Sequence, residues 1–246
     1  MTGAASNGGE RLNRFLARRG VASRRAADEL IAGGRVRVNG ATAGVGTRVN
    51  VDADAVTVDG RRIPAARPHP VTLALNKPAG VITTLHDPQG RPTVRDLVPV
   101  VAGLVPVGRL DADSRGLLLL TSDGDLAHRV AHPRHGLRKT YRVTPTAALT
   151  DAQVRAMIAG VVLDDGPAAA IDVRGLPGST VVDVVMAEGR KRVVRRLFAA
   201  VGNGVLDLCR VAVGPIELGE LAEGESRALD AEEVVSLRRA AGDGSS

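Results

Sequence analysis

The chain has 246 residues, 44% of them hydrophobic and 24% charged, an ordinary globular balance with room for two domains or for one large and one small. It carries a net charge of +6, a single cysteine and only 1% aromatic residues, so the core must be built from Val, Leu, Ile and Ala and no intramolecular disulfide can form. No secretory signal and no apolar run long enough to span a bilayer is visible, which makes a reducing cytoplasm the expected compartment. The charge is uneven. Residues 1–68 hold twelve Arg, no Lys and six acidic residues, so the whole excess lies there, while the remainder balances 21 basic against 21 acidic side chains. A localised basic module is the footprint of nucleic-acid binding, which is largely phosphate neutralisation. A membrane surface would attract the same charge, but insertion requires a broad apolar helix face that these segments lack.

In chain order, residues 1–9 read as a disordered polar tail. Residues 11–19 place Leu12, Phe15 and Leu16 on one helical face, and Gly20 ends the helix. Ser23 caps a second helix that buries Ala27, Leu30 and Ile31 and stops at Gly33-Gly34. Arg24 and Arg25 fall in its first turn, against the helix dipole, a placement that makes sense for phosphate contacts. Val36 and Val38 alternate with Arg35 and Arg37 as a strand, Asn39-Gly40 is a hairpin signal, and Val56–Val58 is a later strand. Two helices with a short turn also fit a DNA-binding helix-turn-helix, but the following hairpin favours RNA. This small domain spans 10–63, and the proline-containing stretch 64–70 is the linker.

From residue 71 to 240 strands (72–76, 116–121, 140–143, 181–186, 205–213) mix irregularly with helices (125–131, 151–159, 193–201), and Asp230 caps a last helix over 231–240. The short connections predict an α+β domain with a mixed, mainly antiparallel sheet and flanking helices. A polar tail, 241–246, follows. Cys209 sits in the alternating run 205–211, where a small buried side chain is expected.

Gly108-Arg109-Leu110-Asp111-Ala112-Asp113-Ser114-Arg115-Gly116 carries the chemistry, because it leads straight into the apolar run Leu117-Leu118-Leu119-Leu120. That run reads as a buried strand, so the loop displays Asp111 at a sheet edge, rigidly held and accessible. The adjacent cation favours a charged carboxylate, which is a usable nucleophile or base. A plain turn in which Asp111 and Asp113 bond local amides accounts for the same residues. Tyr141, the only tyrosine, offers a plane for base stacking or a half-buried strand side chain. The basic run Arg190-Lys191-Arg192-Val193-Val194-Arg195-Arg196 is either a solvated helix start or a set of cations turned to different sides. His128 and His132, at i and i+4, invite a metal reading, but no third ligand at a typical spacing follows and no metal is expected.

The motif from Gly108 to Gly124 resembles the catalytic motif of the RsuA/RluB-type pseudouridine synthases. Residues 75–84, Arg138-Lys139-Thr140-Tyr141, and Glu188-Gly189-Arg190-Lys191-Arg192 with Val194-Arg195-Arg196-Leu197-Phe198 resemble further blocks of that family, in the same order. The resemblance runs over roughly residues 10 to 235. It implies that Asp111 is the essential carboxylate, that Tyr141 packs on the target base, and that Arg195 pairs with the catalytic carboxylate. It also places Leu197 on the pocket floor and gives Arg109, Lys139 and Arg192 RNA or substrate contacts. The N-terminal module resembles the RNA-binding domain of a small-subunit ribosomal protein, with Arg24, Arg25 and Arg35 at RNA-facing positions. Val193 stands where the family usually has Gln.

What this resemblance implies is a cofactor-free isomerisation of uridine in ribosomal RNA. The 83–94 stretch looks closer to the large-subunit branch. The target base flips out, Arg109 fills the gap or holds the flanking phosphate, and Asp111 labilises the glycosidic bond by attack at the anomeric carbon or by removing the neighbouring ribose proton. The partner is ribosomal RNA or an immature subunit, and the sequence demands no more than a monomer. A non-catalytic RNA-binding scaffold is the rival from another class. An RNA hydrolase is a third reading, which needs a second acid–base group that only Asp113 or a distant His could supply.

Overall fold

A computed structural model describes residues 9–64 and 69–242. Residues 1–8 of the expected 1–9 tail, 243–246 of the expected 241–246 tail and 65–68 of the expected linker lie outside the described residues, whereas Ala241, expected in the polar tail, is buried in the core. The chain forms two compact units: one comprises residues up to Val71 together with Val100–Leu104 and Thr121–Gly124, and the other comprises the remainder.

In the N-terminal unit, helices α1 (Leu12–Arg18) and α2 (Arg24–Ala32) form as their apolar spacing predicts. Ser23 Oγ accepts the Ala26 N–H at 3.2 Å, which satisfies a first-turn donor of α2. Val36–Val38 pairs antiparallel with both Ala41–Thr42 and Val56–Val58. Asn39 and Gly40 both take positive φ (51° and 82°), as a two-residue turn matching strand twist requires. Leu12, Phe15, Leu16, Ile31, Val36 and Val56 form the core, and Leu30 is only partly buried against it.

The larger unit is built on a mixed sheet. Along it the strands run Asp172–Gly175, Val182–Met186, Lys139–Pro145, Val205–Val213, Arg115–Thr121, Thr72–Lys77 and Ser226–Ala228. Lys139–Pro145 is antiparallel to both of its neighbours. Val205–Val213 is parallel to Arg115–Thr121, with Arg210 opposite Gly116. Leu117, Leu118, Leu119 and Leu120 are all at most 1% exposed, so this strand is buried on both faces, which is why its sequence shows no alternation. Leu117 and Leu119 pack with Leu126 and Val130 of α3 (Gly124–Ala131) and Leu237 of α6 (Ala231–Ala240). Helix α4 (Asp151–Ala159) begins with a reciprocal Thr150/Gln153 cap and α6 with Asp230/Glu233. The sheet adds short pieces with weak sequence signals, Asp172–Gly175 and Ser226–Ala228, and a separate hairpin of Val161–Leu163 with Gly166–Ala168. Cys209 is buried, as its strand position predicts.

Candidate active site

The loop carrying Asp111 is fastened from behind by the chain that follows Thr72–Lys77. The Thr83 hydroxyl donates to Leu110 O at 2.7 Å and accepts the Leu110 N–H at 3.2 Å. Gly80 N–H donates to Ala112 O at 2.7 Å, and Ser114 N–H closes the turn onto Asp111 O at 3.1 Å. Gly108 enters the loop at φ +70°, a left-handed conformation that suits glycine. Asp111 is therefore fixed by backbone bonds on both of its sides rather than by its own carboxylate.

Asp111 lines a cavity of about 90 Å³ together with Arg109, Lys139, Tyr141, Arg190, Arg192 and Arg210. Tyr141 is buried on the strand Lys139–Pro145 and Lys139 lies two residues before it, on the same face of the strand. The apolar wall is made by Val107, Val130, Val193, Val194, Leu208 and Val213. Leu197 is fully buried but does not line the cavity, because the first turn of α5 (Val193–Ala200) presents Val193 and Val194 instead. The residue that departs from the family pattern, Val193, thus forms part of the wall itself.

The cations of the third motif are divided differently from the sequence expectation. Arg195 donates through Nη2 to Asp113 O at 2.9 Å and through Nη1 to Val205 O at 3.0 Å, and its Nε lies 3.4 Å from Asp113 Oδ2. Arg192 donates through Nη1 to both oxygens of the same carboxylate, at 3.0 and 2.9 Å. Among the described residues, neither bonds Asp111. The physical reason is that Asp113 offers Arg195 a carbonyl and a carboxylate together, two residues farther along the loop. Partial burial pushes the Asp113 carboxyl up, but Arg192 and Arg195 outweigh it and hold the group below its ordinary value. Arg192 takes this position at φ +52°, a conformation uncommon outside glycine and concentrated at functional sites. Arg190 is held by Glu188 and, at 2.7 Å, by Asp165.

Two further buried cations escaped the sequence reading. Lys77 is fully buried, and its Nζ donates to Pro78 O at 2.8 Å and Val81 O at 2.7 Å. Burial lowers it to about 8, opposed by the negative charges of Asp113 and Asp111. Arg210 is 3% exposed, with Nε donating to Leu117 O at 2.8 Å. Burial, assisted by Arg210, likewise lowers Lys139 to about 8. For Arg210 the only hint in the sequence was a charged residue inside an otherwise strand-like apolar run, whereas Lys77 also lies in the 75–84 block, which assigned it no role.

In the N-terminal unit, Arg24 lines an open groove with Arg11, Arg14, Arg18 and Arg48, while Glu10 pairs with Arg14 and Arg18 at 3.5 and 2.9 Å. Arg25 is exposed on the same helix outside that lining. Arg35 is exposed but forms a two-pronged pair with Asp59, at 2.8 and 2.5 Å, which offsets its charge. His128 and His132 have ring centroids 5.1 Å apart, yet among the described residues no group of three His, Cys, Asp or Glu could hold a metal. Among them, too, no helix is long and apolar enough to cross a membrane.

Comparison with known proteins shows the family. Residues 71–200 match the RNA pseudouridylate synthase family and residues 10–54 match the S4 domain. An uncharacterized RNA pseudouridine synthase of Mycobacterium tuberculosis is 46% identical over 242 residues, covering 95% of each chain. The ribosomal large subunit pseudouridine synthase B of Vibrio cholerae is 41% identical over 238 residues, covering 93% of this chain and 74% of the relative. A pseudouridylate synthase crystal structure superposes with a TM-score of 0.67 at 31% identity, covering 93% of this chain and 99% of the other. The chain therefore belongs to the RNA pseudouridine synthases of the RsuA/RluB type, isomerases that here carry an S4 domain ahead of the catalytic domain.

Proposed function

We propose that this enzyme converts a uridine of large-subunit ribosomal RNA to pseudouridine, with Asp111 as the catalytic carboxylate and without a cofactor. The observation that carries the reading is that Asp111, on a loop pinned by Thr83 and Gly80, and Tyr141, on the strand Lys139–Pro145, line one cavity. The relatives named as ribosomal large subunit pseudouridine synthases support the substrate class. The S4 domain with its arginine-lined groove supplies sequence-independent attraction for RNA phosphates, and such a substrate is met in the cytoplasm.

The reacting uridine leaves its stack at a cost of about a few kcal/mol and enters the cavity. Tyr141 packs against the base, and Arg109, exposed at the loop's entrance, holds the flanking phosphate or the vacated space. Asp111 labilises the N1–C1′ bond, either by attacking C1′ or by taking the C2′ proton. The base rotates, C5 bonds to C1′, the C5 proton leaves and N1 gains one. Substrate and product are isomers, so no net electron or group is supplied. Arg192 and Arg195 act one step away, gripping Asp113 and through it the loop. The enzyme works as a monomer.

The test is tritium release from C5-tritiated ribosomal RNA, as naked RNA and as immature particles of each subunit. Wild-type enzyme is expected to release tritium from large-subunit substrate. Asp111→Asn should release none while binding RNA within a few-fold of wild type. Full activity in Asp111→Asn removes the carboxylate mechanism, and no release by wild type on any substrate leaves an RNA-binding scaffold.

A further inference from the structure

Of the charged residues lining the cavity, one is negative, Asp111, and five are positive: Arg109, Lys139, Arg190, Arg192 and Arg210. Four of these have visible reasons to be there. Arg109 is exposed at the mouth, Arg190 is paired with Glu188 and Asp165, Arg192 grips Asp113, and Lys139 donates to Leu137 O at 3.2 Å. Arg210 is different. It lies in the middle of a buried strand, where a charge is costly unless all its donors are met. Its Nε has Leu117 O at 2.8 Å, and Nη1 reaches only a long 3.5 Å contact with Arg109 O. Nη2 is buried and has no partner among the described residues. Ser114 Oγ, also buried and lining the cavity, is unpartnered too. Buried polar groups are paired in the great majority of cases, so two unpartnered groups on residues that line one cavity point to a polar occupant.

We propose that Arg210 is a substrate-contacting residue, whose Nη2 N–H donates to a carbonyl oxygen of the uracil seated in the cavity. This rests on the isomerase reading above. When the N1–C1′ bond breaks, its electron pair stays on the base and spreads onto O2 and O4. A guanidinium fixed before reaction stabilises that charge without transferring its own proton. The pair returns to carbon when C5 bonds to C1′, and the C5 proton leaves to solvent or to a carboxylate. Two features make Arg210 suited to the task. Its backbone is locked in the parallel register opposite Gly116, and its Nε is tied to Leu117 O, so the fork cannot swing away. The contact strengthens as charge develops, so its loss falls on kcat more than on KM.

The experiment compares wild type, Arg210→Met and Arg210→Lys on RNA carrying uridine, 2-thiouridine or 4-thiouridine at the target, because sulfur accepts hydrogen bonds more weakly than oxygen. Turnover is read by quantifying product nucleoside, and thermal stability and RNA affinity are measured alongside. Wild type should slow about tenfold on one of the two thio substrates. Arg210→Met should lose about 100-fold or more in kcat, keep KM and RNA affinity within a few-fold, and treat that thio substrate like uridine. If Arg210→Met fails to fold, Arg210→Lys retains a donor for Leu117 O and should show the same loss of discrimination with kcat at least tenfold down. The proposal is overturned if wild type ignores both sulfurs, if the variants keep wild-type kcat, or if they lose kcat but keep the wild-type preference, which marks a structural role. A wild-type enzyme that isomerises nothing overturns the isomerase reading together with this one, whereas active wild type with indifferent Arg210 variants overturns this one alone.

Discussion

Gly116→Ala tests whether the register that pairs Arg210 with the strand following the Asp111 loop is set by close backbone approach. Gly116 has φ +101°, and an added Cβ would lie 2.4 Å from Arg210 O, 2.7 Å from Arg210 N and 2.7 Å from Cys209 Sγ. The first two obstacles are main chain of a buried neighbouring strand and cannot give way cheaply. The φ penalty is about 1–3 kcal/mol, and the clash, treated as overpacking of a tight core, adds about 1–3 kcal/mol. A total near 4 kcal/mol is a large part of the roughly 5–15 kcal/mol that stabilises a typical protein. For a unit of this size it corresponds to a fall in Tm of about 8–16 °C. The chain has one tyrosine and no tryptophan, so intrinsic fluorescence reports the catalytic unit through Tyr141 alone and is not blurred by the N-terminal unit. Gly178→Ala is the control: its φ is +67° but nothing lies within 4 Å of the added Cβ, so only the backbone penalty of about 1–2 kcal/mol should appear. Equal losses in the two variants, or a loss under about 1 kcal/mol in Gly116→Ala, would refute the close-approach reasoning.

Three other outcomes follow from charges and walls. Lys77 sits at about 8 in the folded protein against an ordinary 10.5, so between those values the unfolded chain holds a proton the folded one has lost. Stability should therefore rise with pH from about 8 upward, with up to roughly 3 kcal/mol of burial penalty in force below it. Lys139 contributes in the same direction, so Lys77→Met should flatten about half of the slope in urea titrations between pH 8 and 9.5, and an unchanged slope would count against a buried cation there. Replacing Arg24 and Arg25 with Ala should weaken RNA binding and reduce the salt slope by about 1.5–2, whereas Arg35→Ala should change it by less because Asp59 already offsets that charge; an unaltered slope in the double variant would take α2 out of the interface. Val193→Gln adds an amide to the cavity wall at a position only 3% exposed, and kcat/KM should move by less than tenfold; a larger change would make this position decisive for turnover rather than a tuning site.

Much of the fold was legible because its strongest elements carry local signals. The capped helices at Ser23, Thr150 and Asp230 combine a side-chain acceptor with a regular apolar spacing, and each begins where that residue places it. The strand Arg115–Thr121 announces itself by being apolar on both faces, and Val205–Val213 by alternation. Asp172–Gly175 and Ser226–Ala228 were not legible, since short edge strands of charged, small residues form only because a neighbouring strand offers hydrogen-bond partners. Nothing in their own sequence distinguishes them from loop.

The site divides along a similar line. Asp111 and Tyr141 were singled out by the motifs that carry the family resemblance; each is held at a fixed place on its own element, and the two line one cavity. The cation partners could not be read in this way, because a guanidinium reaches across elements to whichever oxygen the tertiary fold presents. Arg195 illustrates this: spacing allows one Arg of the run to turn inward and the resemblance makes it Arg195, but the fold decides between Asp111 and Asp113, and the extra carbonyl of Asp113 wins. The consequence is a division of labour within one short loop. Asp113 absorbs Arg192 and Arg195 and anchors the loop to the start of α5, which leaves the Asp111 carboxylate without a protein partner among the described residues. Arg210 and, below about pH 8, Lys77 then add positive charge that is held by backbone carbonyls rather than by carboxylates, so neither is ion-paired before a substrate arrives.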